Sequence, residues 1–319
     1  MTFIESCRRF IAIDSSASHG TSDLVQFAEE LCRQAGFYVE VQEEVHRGRR
    51  EKNIIVRTHE AIQPGELLLQ THLDTAEPGI FSLWTKTGSN PFNGSIYGDK
   101  LYGLGAADVK LDFLCKLEAL KRCQKAHPQL PVVLVGTFAG EDGMSGAVKL
   151  IRRGKIKASH AVLGEPTDSK IVTAGFGEAV VEICVPFSDE EKDYHKQHDL
   201  TLSSSCQSKM FYGDAGHSTL NALRDNAIIN LLDYLTQLPD GIAVLDMEGG
   251  TSHNAVPESA VLEFDLMGGF KAATVAAKLS QILKTVMHVE SDFSNYPCEG
   301  FTPNIPSLNI GTVKKMKDH

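Results

Sequence analysis

Apolar positions recur at helical spacing between residues 21 and 36, where Leu24, Phe27, Ala28 and Leu31 share one face. This predicts a first amphipathic helix, with Ser22 as its cap and Gly36 as its stop. Two short apolar β-rich runs follow at 53–57 and 66–69, the second leading directly into Thr71-His-Leu-Asp74. From 77 to 98 the chain is rich in Gly, Pro, Ser and Asn, a loop too long for a simple connector. Residues 108–126 form the clearest helix, with Leu111, Phe113, Leu114, Leu117, Leu120 and Cys123 supplying a broad apolar face. The run 131–138 is nearly continuous in apolar residues, as in a central strand covered on both faces. Residues 143–154 read as a helix and 159–163 as another buried strand, ending at Gly164-Glu-Pro166. Strands alternating with helices predict an α/β layer architecture through about residue 172.

Beyond that point the texture changes. Residues 178–185 alternate like a half-exposed strand, and 188–208 are polar with little hydrophobic pattern. Residues 220–238 and 272–286 read as helices, and 242–247, 259–266 and 288–292 as strands. This β-α-β-β-α-β order is that of the split βαβ, or ferredoxin-like, motif. The expected domains are therefore 1–172 and a smaller α+β domain at 173–295, followed by 296–319.

The chain has 319 residues, with 31 Lys+Arg against 41 Asp+Glu and a formal net charge of −10. An acidic chain without a basic face argues against nucleic acid or an anionic membrane as partner, since both demand clustered Lys and Arg. The longest apolar stretch, near 132–135, is far too short to span a bilayer. Residues 1–10 carry Glu5, Arg8 and Arg9 and lack the apolar core of a secretion signal, so a cytoplasmic location is expected. The seven cysteines are dispersed, without a Cys-x-x-Cys pair, and read as reduced thiols, most of them filling the core.

Polar residues recur where strands of the first domain end: His72 and Asp74, Asp108 at the start of the long helix, Glu141 and Asp142, and Glu165. Ligands of α/β sheets bind beyond the carboxyl ends of the strands, so these residues can converge. One His with several carboxylates suits Zn²⁺, Mn²⁺ or Co²⁺. Each also has a plain structural reading: Asp108 as a helix N-cap, Glu141 and Asp142 as first-turn carboxylates, Glu165 before Pro166 as a turn residue.

Six segments in order resemble the M20 metallopeptidase and deacylase family: Thr71-His-Leu-Asp-Thr75, Gly103-Leu-Gly-Ala-Ala-Asp-Val-Lys110, Gly140-Glu-Asp-Gly-Met-Ser-Gly-Ala147, Gly164-Glu-Pro-Thr167, Gly213-Asp-Ala-Gly-His217 and Gly249-Gly-Thr-Ser-His-Asn-Ala-Val-Pro257. The resemblance extends from about residue 10 to 290. It implies a three-layer αβα metallohydrolase catalytic domain with a ferredoxin-like lid and dimerisation domain. It further implies one or two Zn²⁺ ions, with Co²⁺ or Mn²⁺ as alternatives: His72 binds one metal, Asp108 bridges two, Glu165 completes the first site, and Asp74 hydrogen-bonds His72 from behind. A Glu beside the metals would carry the proton from water to the leaving nitrogen. His217 would reach the site of a partner subunit and stabilise the oxyanion, and Asn254 would touch substrate. A homodimer acting on a small N-acyl amino acid or peptide follows from the same resemblance.

Three departures stand against this pattern. The family's acidic motif is two adjacent Glu, base first and metal ligand second. A gapless match puts Glu141 on the ligand and Gly140 on the base; a one-residue deletion makes Glu141 the base and Asp142 the ligand. The gapless match is preferred, and on it hydrolysis is impaired. Relatives also return to the first domain and supply a late metal-binding His; here 306–314 reads as the start of that return, the chain is expected to be truncated, and His319 is a poor substitute. Finally, Met267 stands where many relatives have a carboxylate-binding Arg. Two functions are therefore carried: a metal-dependent amidohydrolase of the deacetylase or desuccinylase type, and an impaired relative that binds metal or dimerises without turnover.

Overall fold

A computed structural model describes residues 1–198, 206–214, 216–218, 225–266, 269–301 and 304–317, so Met267 and His319 lie outside the described residues. The chain divides into two compact units, Met1–Thr173 and Ala174–His319.

The first unit opens with α1 (Phe3–Ala12), which the sequence reading leaves out. Its start is fixed reciprocally: the Glu5 amide donates to the Thr2 hydroxyl, and the Thr2 amide to the Glu5 carboxylate. Next come α2 (Ser22–Gln34) and the hairpin of β1 (Tyr38–His46) and β2 (Arg49–Arg57). Ser22 is the first helical residue rather than the cap; Thr21 precedes it, with its hydroxyl donating to Glu51 and the Lys52 carbonyl. After β3 (Glu66–His72), the long loop contains two single-turn 3₁₀ helices and a short hairpin, β4 (Ser95–Tyr97) and β5 (Lys100–Tyr102). The remaining elements are α3 (Lys110–Ala126), β6 (Val132–Thr137), α4 (Ser145–Arg152) and β7 (Ala158–Leu163).

The five-stranded sheet runs β1-β2-β6-β3-β7, with β1, β2 and β6 paired antiparallel and β6, β3 and β7 parallel. The period of two sorts its side chains. Ile54, Val56, Val132 and Leu134 pack with α1, α2 and α3, while Ile55, Val133 and Val135 pack with Leu150 of α4. Helices therefore cover both faces, giving an α/β, three-layer αβα unit. Phe10 of α1 ties the larger face together, its ring 5.7 Å from Phe27 and 6.2 Å from Phe113.

Strand β7 corrects the expectation of a buried strand at 159–163. Among the described residues its only ladder partner is β3, so it is the sheet edge, and Val162 and Leu163 are 51% and 65% exposed. Of the seven cysteines, all free, only Cys7 and Cys32 are buried; burial raises their thiols to about 11 and about 12.

The second unit contains α5 (Asp189–His198), β8 (Cys206–Tyr212), β9 (Gly216–His217), α6 (Ala227–Gln237), β10 (Ala243–Gly249), β11 (Ala255–Val256), β12 (Ser259–Asp265), α7 (Val275–Phe293) and β13 (Val313–Lys314). Its antiparallel sheet runs β13-β10-β12-β8. β8, α6 and β10, with β12 lying between the two strands, form a split βαβ unit whose core includes Leu231, Leu235, Leu262 and Phe264. Two of the six elements expected for the β-α-β-β-α-β order, the strands at 178–185 and 288–292, are not strands, and the outer positions are taken by β8 and β13 instead. Residues 178–185 form no regular element and are largely exposed, because alternation makes a strand only where an edge is available to pair. Residues 288–292 continue α7, since no Gly or Pro interrupts it and His288 pairs with Asp292 one turn on, at 3.7 Å. Residues 313–314, expected to return to the first domain, instead pair with β10. Among the described residues no helix is long and apolar enough to cross a membrane.

Candidate metal centre

The parallel arrangement of β3, β6 and β7 sends their carboxyl ends to one side of the sheet, and the acids named above follow those ends. His72 is the last residue of β3 and is 7% exposed. Its Nε2 lies 3.7 Å from Asp108 Oδ1, and ligand-type atoms of His72, Asp108 and Glu141 all lie within 4.8 Å of one another. Donors held tetrahedrally by one ion at about 2.1 Å lie about 3.4 Å apart, so the widest separation within this group has to close by up to about 1.4 Å. One imidazole nitrogen and two carboxylates suit a divalent cation of the zinc class.

Behind this group, the His72 Nδ1 lies 3.1 Å from the Asp74 backbone carbonyl; donating there leaves Nε2 free to bind a cation. The Asp74 carboxylate is 3.5 Å away from Nδ1 and is used mainly elsewhere: it accepts the amides of Gly140 at 2.8 Å and Glu141 at 3.0 Å. Asp74 thus fastens the turn carrying Glu141 to the end of β3. Gly140 is pressed on the imidazole, and a Cβ built there would lie 2.4 Å from both Cβ and Cγ of His72. Position 140 consequently has no room for a side chain in this arrangement.

The charges respond to this crowding. Burial alone would push the His72 imidazole down, but contacts with the Asp108 and Asp74 carboxylates, and the charges of Asp74 and Glu141, outweigh it and raise the ring to about 10. Burial and then Asp108 raise the Glu141 carboxyl, with Asp74 and Glu165 adding to the rise and His72 opposing it. Glu165 is likewise raised by burial and by Asp108 and Asp112, against His72 and Lys116. Glu165 is exposed in the turn after β7, yet electrostatically it belongs to the same group.

Asp142 is turned elsewhere. Its carboxylate pairs with His46 Nε2 at 2.8 Å and Arg47 at 2.7 Å. Neither helical alternative holds: α3 starts at Lys110 without a side-chain cap, so Asp108 is not its N-cap, and α4 starts at Ser145, beyond Glu141 and Asp142. In the second unit, the backbone of His217 pairs with Ala255, and the Ser218 amide donates to the Asn254 carbonyl at 2.9 Å. Asn254 is half-buried, its side-chain oxygen accepting from the Ser252 hydroxyl at 2.6 Å. His217 and Asn254 are therefore sequence-distant neighbours.

Asp112 and Lys116, which are not among the residues expected at the site, form an ion pair of 2.6 Å beside the ends of β3 and β7. An available signal was the i,i+4 pair of opposite charges interleaved with the apolar face of α3.

A model of the family described as peptidase family M20/M25/M40 matches residues 68–302. An acetylornithine deacetylase of Erwinia tasmaniensis is 29% identical over 242 residues, covering 74% of this chain and 55% of the relative. The chain thus spans about half the length of that curated relative. Among solved structures, human carnosine dipeptidase 1 matches 91% of this chain and 75% of its own, at 13% identity and a TM-score of 0.43. The Saccharomyces cerevisiae di-peptidase Dug1p matches 92% and 74%, at 14% identity and a TM-score of 0.44.

Proposed function

The chain belongs to peptidase family M20/M25/M40, and from that membership we propose that it is a cytoplasmic, metal-dependent amidohydrolase that cleaves a small N-acyl amino acid or peptide, in the manner of a deacetylase or desuccinylase. The observation that carries this reading is the convergence of His72, Asp108 and Glu141. With Glu165 they would hold one or two Zn²⁺ ions, Co²⁺ or Mn²⁺ being the alternatives. A bound cation of this class lowers the pKa of water and polarises a carbonyl. Asp74 keeps His72 and the Glu141 turn in register through the contacts described above. The diversion of Asp142 to His46 and Arg47 supports Glu141 as the cation ligand. His217 supplies a donor to the oxyanion in the site of a second subunit, and Asn254 contacts substrate; these two roles rest on the resemblance alone. Residues 1–172 act as the catalytic domain and 173–295 as the lid through which two copies associate.

Position 140 favours a second reading beside the first. If Glu141 is a ligand, the residue before it would be the proton carrier, and Gly140 cannot carry a proton. An impaired relative that binds metal or dimerises without turnover is the outcome if no other acid takes that role. Amine release from a panel of N-acetyl and N-succinyl amino acids and dipeptides, with Zn²⁺ or Co²⁺ added, separates the two. Metal-dependent turnover that Glu141→Ala abolishes supports the hydrolase; stoichiometric metal binding without turnover on any member of the panel supports the impaired relative.

A further inference from the structure

Lys116 is a charged residue buried on the sheet-facing side of α3, only 8% exposed. All three of its ammonium protons have acceptors: the Asp112 carboxylate at 2.6 Å, the Gln70 carbonyl at 2.6 Å and the Thr71 hydroxyl at 3.3 Å. The Thr71 hydroxyl donates in turn to Asp112 at 2.5 Å. Gln70 and Thr71 are the residues just before His72. The same Gln70 carbonyl also accepts the Gly164 amide at 2.8 Å, and Gly164 is the residue just before Glu165. A Cβ at Gly164 would fall 2.0 Å from Asp112 Oδ2 and 2.9 Å from Lys116 Nζ, so the backbone at 164 lies directly on the ion pair. Among the described residues strand β7 has no ladder partner other than β3. Its end would be free to fray unless something beyond the ladder held it.

Stability alone is a weak reason to keep such a pair. Removing two charges from water is costly, and apolar residues of similar volume hold a fold as well or better. The position of the pair gives a better reason, because it touches the residues that precede two of the candidate ligands on two neighbouring strands.

We propose that the Lys116–Asp112 pair is a positioning device for the metal centre, clasping the ends of β3 and β7 so that His72 and Glu165 present their side chains to one cation. This rests on the reading of His72 and Glu165 as ligands. Lys116 and Asp112 are not among the candidate ligands; they act through the Gln70 carbonyl, the Thr71 hydroxyl and the backbone at 164.

The test uses the full chain carrying Lys116→Met, Asp112→Asn, or both. Zinc affinity is measured by calorimetry with chelator competition, Co²⁺ ligation by its visible absorption, and amide hydrogen exchange at 163–165 in the metal-free protein. Lys116→Met is expected to bind zinc about 10–100-fold more weakly, the range for loss of a partner that orients a ligand. The double variant, which leaves no unpaired charge, stays as weak and exchanges faster at 163–165, while β6 keeps the protection of the parent. A double variant with parental affinity and exchange overturns the proposal, because the pair would then serve only to neutralise itself. A parent that binds no zinc overturns the ligand assignment instead, and the exchange at 163–165 still decides whether the clasp exists.

Discussion

Substituting Gly140 tests the geometry of the proposed metal centre most directly. The family pattern invites Gly140→Glu as a repair that restores a proton carrier, but the structure argues that even Gly140→Ala damages the site. A Cβ at 140 would sit 2.4 Å from Cβ and Cγ of His72 and 2.9 Å from Nδ1, whereas ordinary contact begins at 3.4 Å. Relief requires the ring and the 140 backbone to separate by 3.4 − 2.4 = 1.0 Å. Metal–ligand distances tolerate only about 0.2 Å, and the turn at 140 cannot retreat without breaking the hydrogen bonds that the Gly140 and Glu141 amides donate to the Asp74 carboxylate. Overpacking of this kind costs about 1–3 kcal/mol, roughly a 5- to 150-fold loss if it falls wholly on metal binding. The assay is zinc binding by chelator competition, together with urea denaturation of the metal-free protein. Gly175→Ala is the control, since a Cβ there meets nothing within 4 Å. Gly140→Ala with parental zinc affinity and parental stability would refute the reasoning, and turnover gained by Gly140→Glu would show that position 140 opens toward substrate after all.

Other outcomes follow from the same contacts. His72 is raised to about 10 in the metal-free fold against about 6.5 unfolded. Its contribution to stability is therefore fully present below pH 6.5 and lost as pH rises through about 10. Zinc binding between pH 7 and 9 should accordingly release about one proton from this ring, and calorimetry in buffers of different ionisation enthalpy measures it; no release contradicts the charged state. Asp74→Asn weakens two charge-assisted bonds to the amides of 140 and 141 and should cost about 1.5–3 kcal/mol by denaturation. Asp142→Ala removes two partly exposed pairs, to His46 and Arg47, and should lower stability by at most about 1 kcal/mol for each. It should also leave zinc affinity within a factor of about three, while Glu141→Ala abolishes tight binding; the reverse ranking would move the ligand to Asp142.

How much was legible depends on what each signal reports. The central layer was readable because β6 is apolar on both faces, and the meeting of His72, Asp108 and Glu141 was readable because they sit where elements begin or end. Two missed helices carried local signals: Thr2 and Glu5, then Ser188 and Glu191, have capping-box spacing, and the structure makes both boxes. The exposure of β7 was not legible, because an apolar run does not state how many neighbours its strand will have. The same limit explains 178–185 and 313–314, whose pairing is decided by which sheet edges are available. The direction of Asp142 was also beyond sequence reading, since its partners His46 and Arg47 belong to the β1–β2 hairpin, distant in the chain.

The parallel ladder of β3, β6 and β7 has a consequence for how the protein matures. Each candidate ligand leaves a different element, and no two adjoin closely in sequence, so an unfolded chain offers a cation no preformed chelate. Parallel pairing closes long loops and is slow for that reason. The loop behind Glu165 closes only when β7 docks on β3. A metal ion added at the start of refolding should therefore leave the phases before parallel pairing unchanged and be captured as β3, β6 and β7 pair, so that its uptake acts as a clock for the parallel half of the sheet.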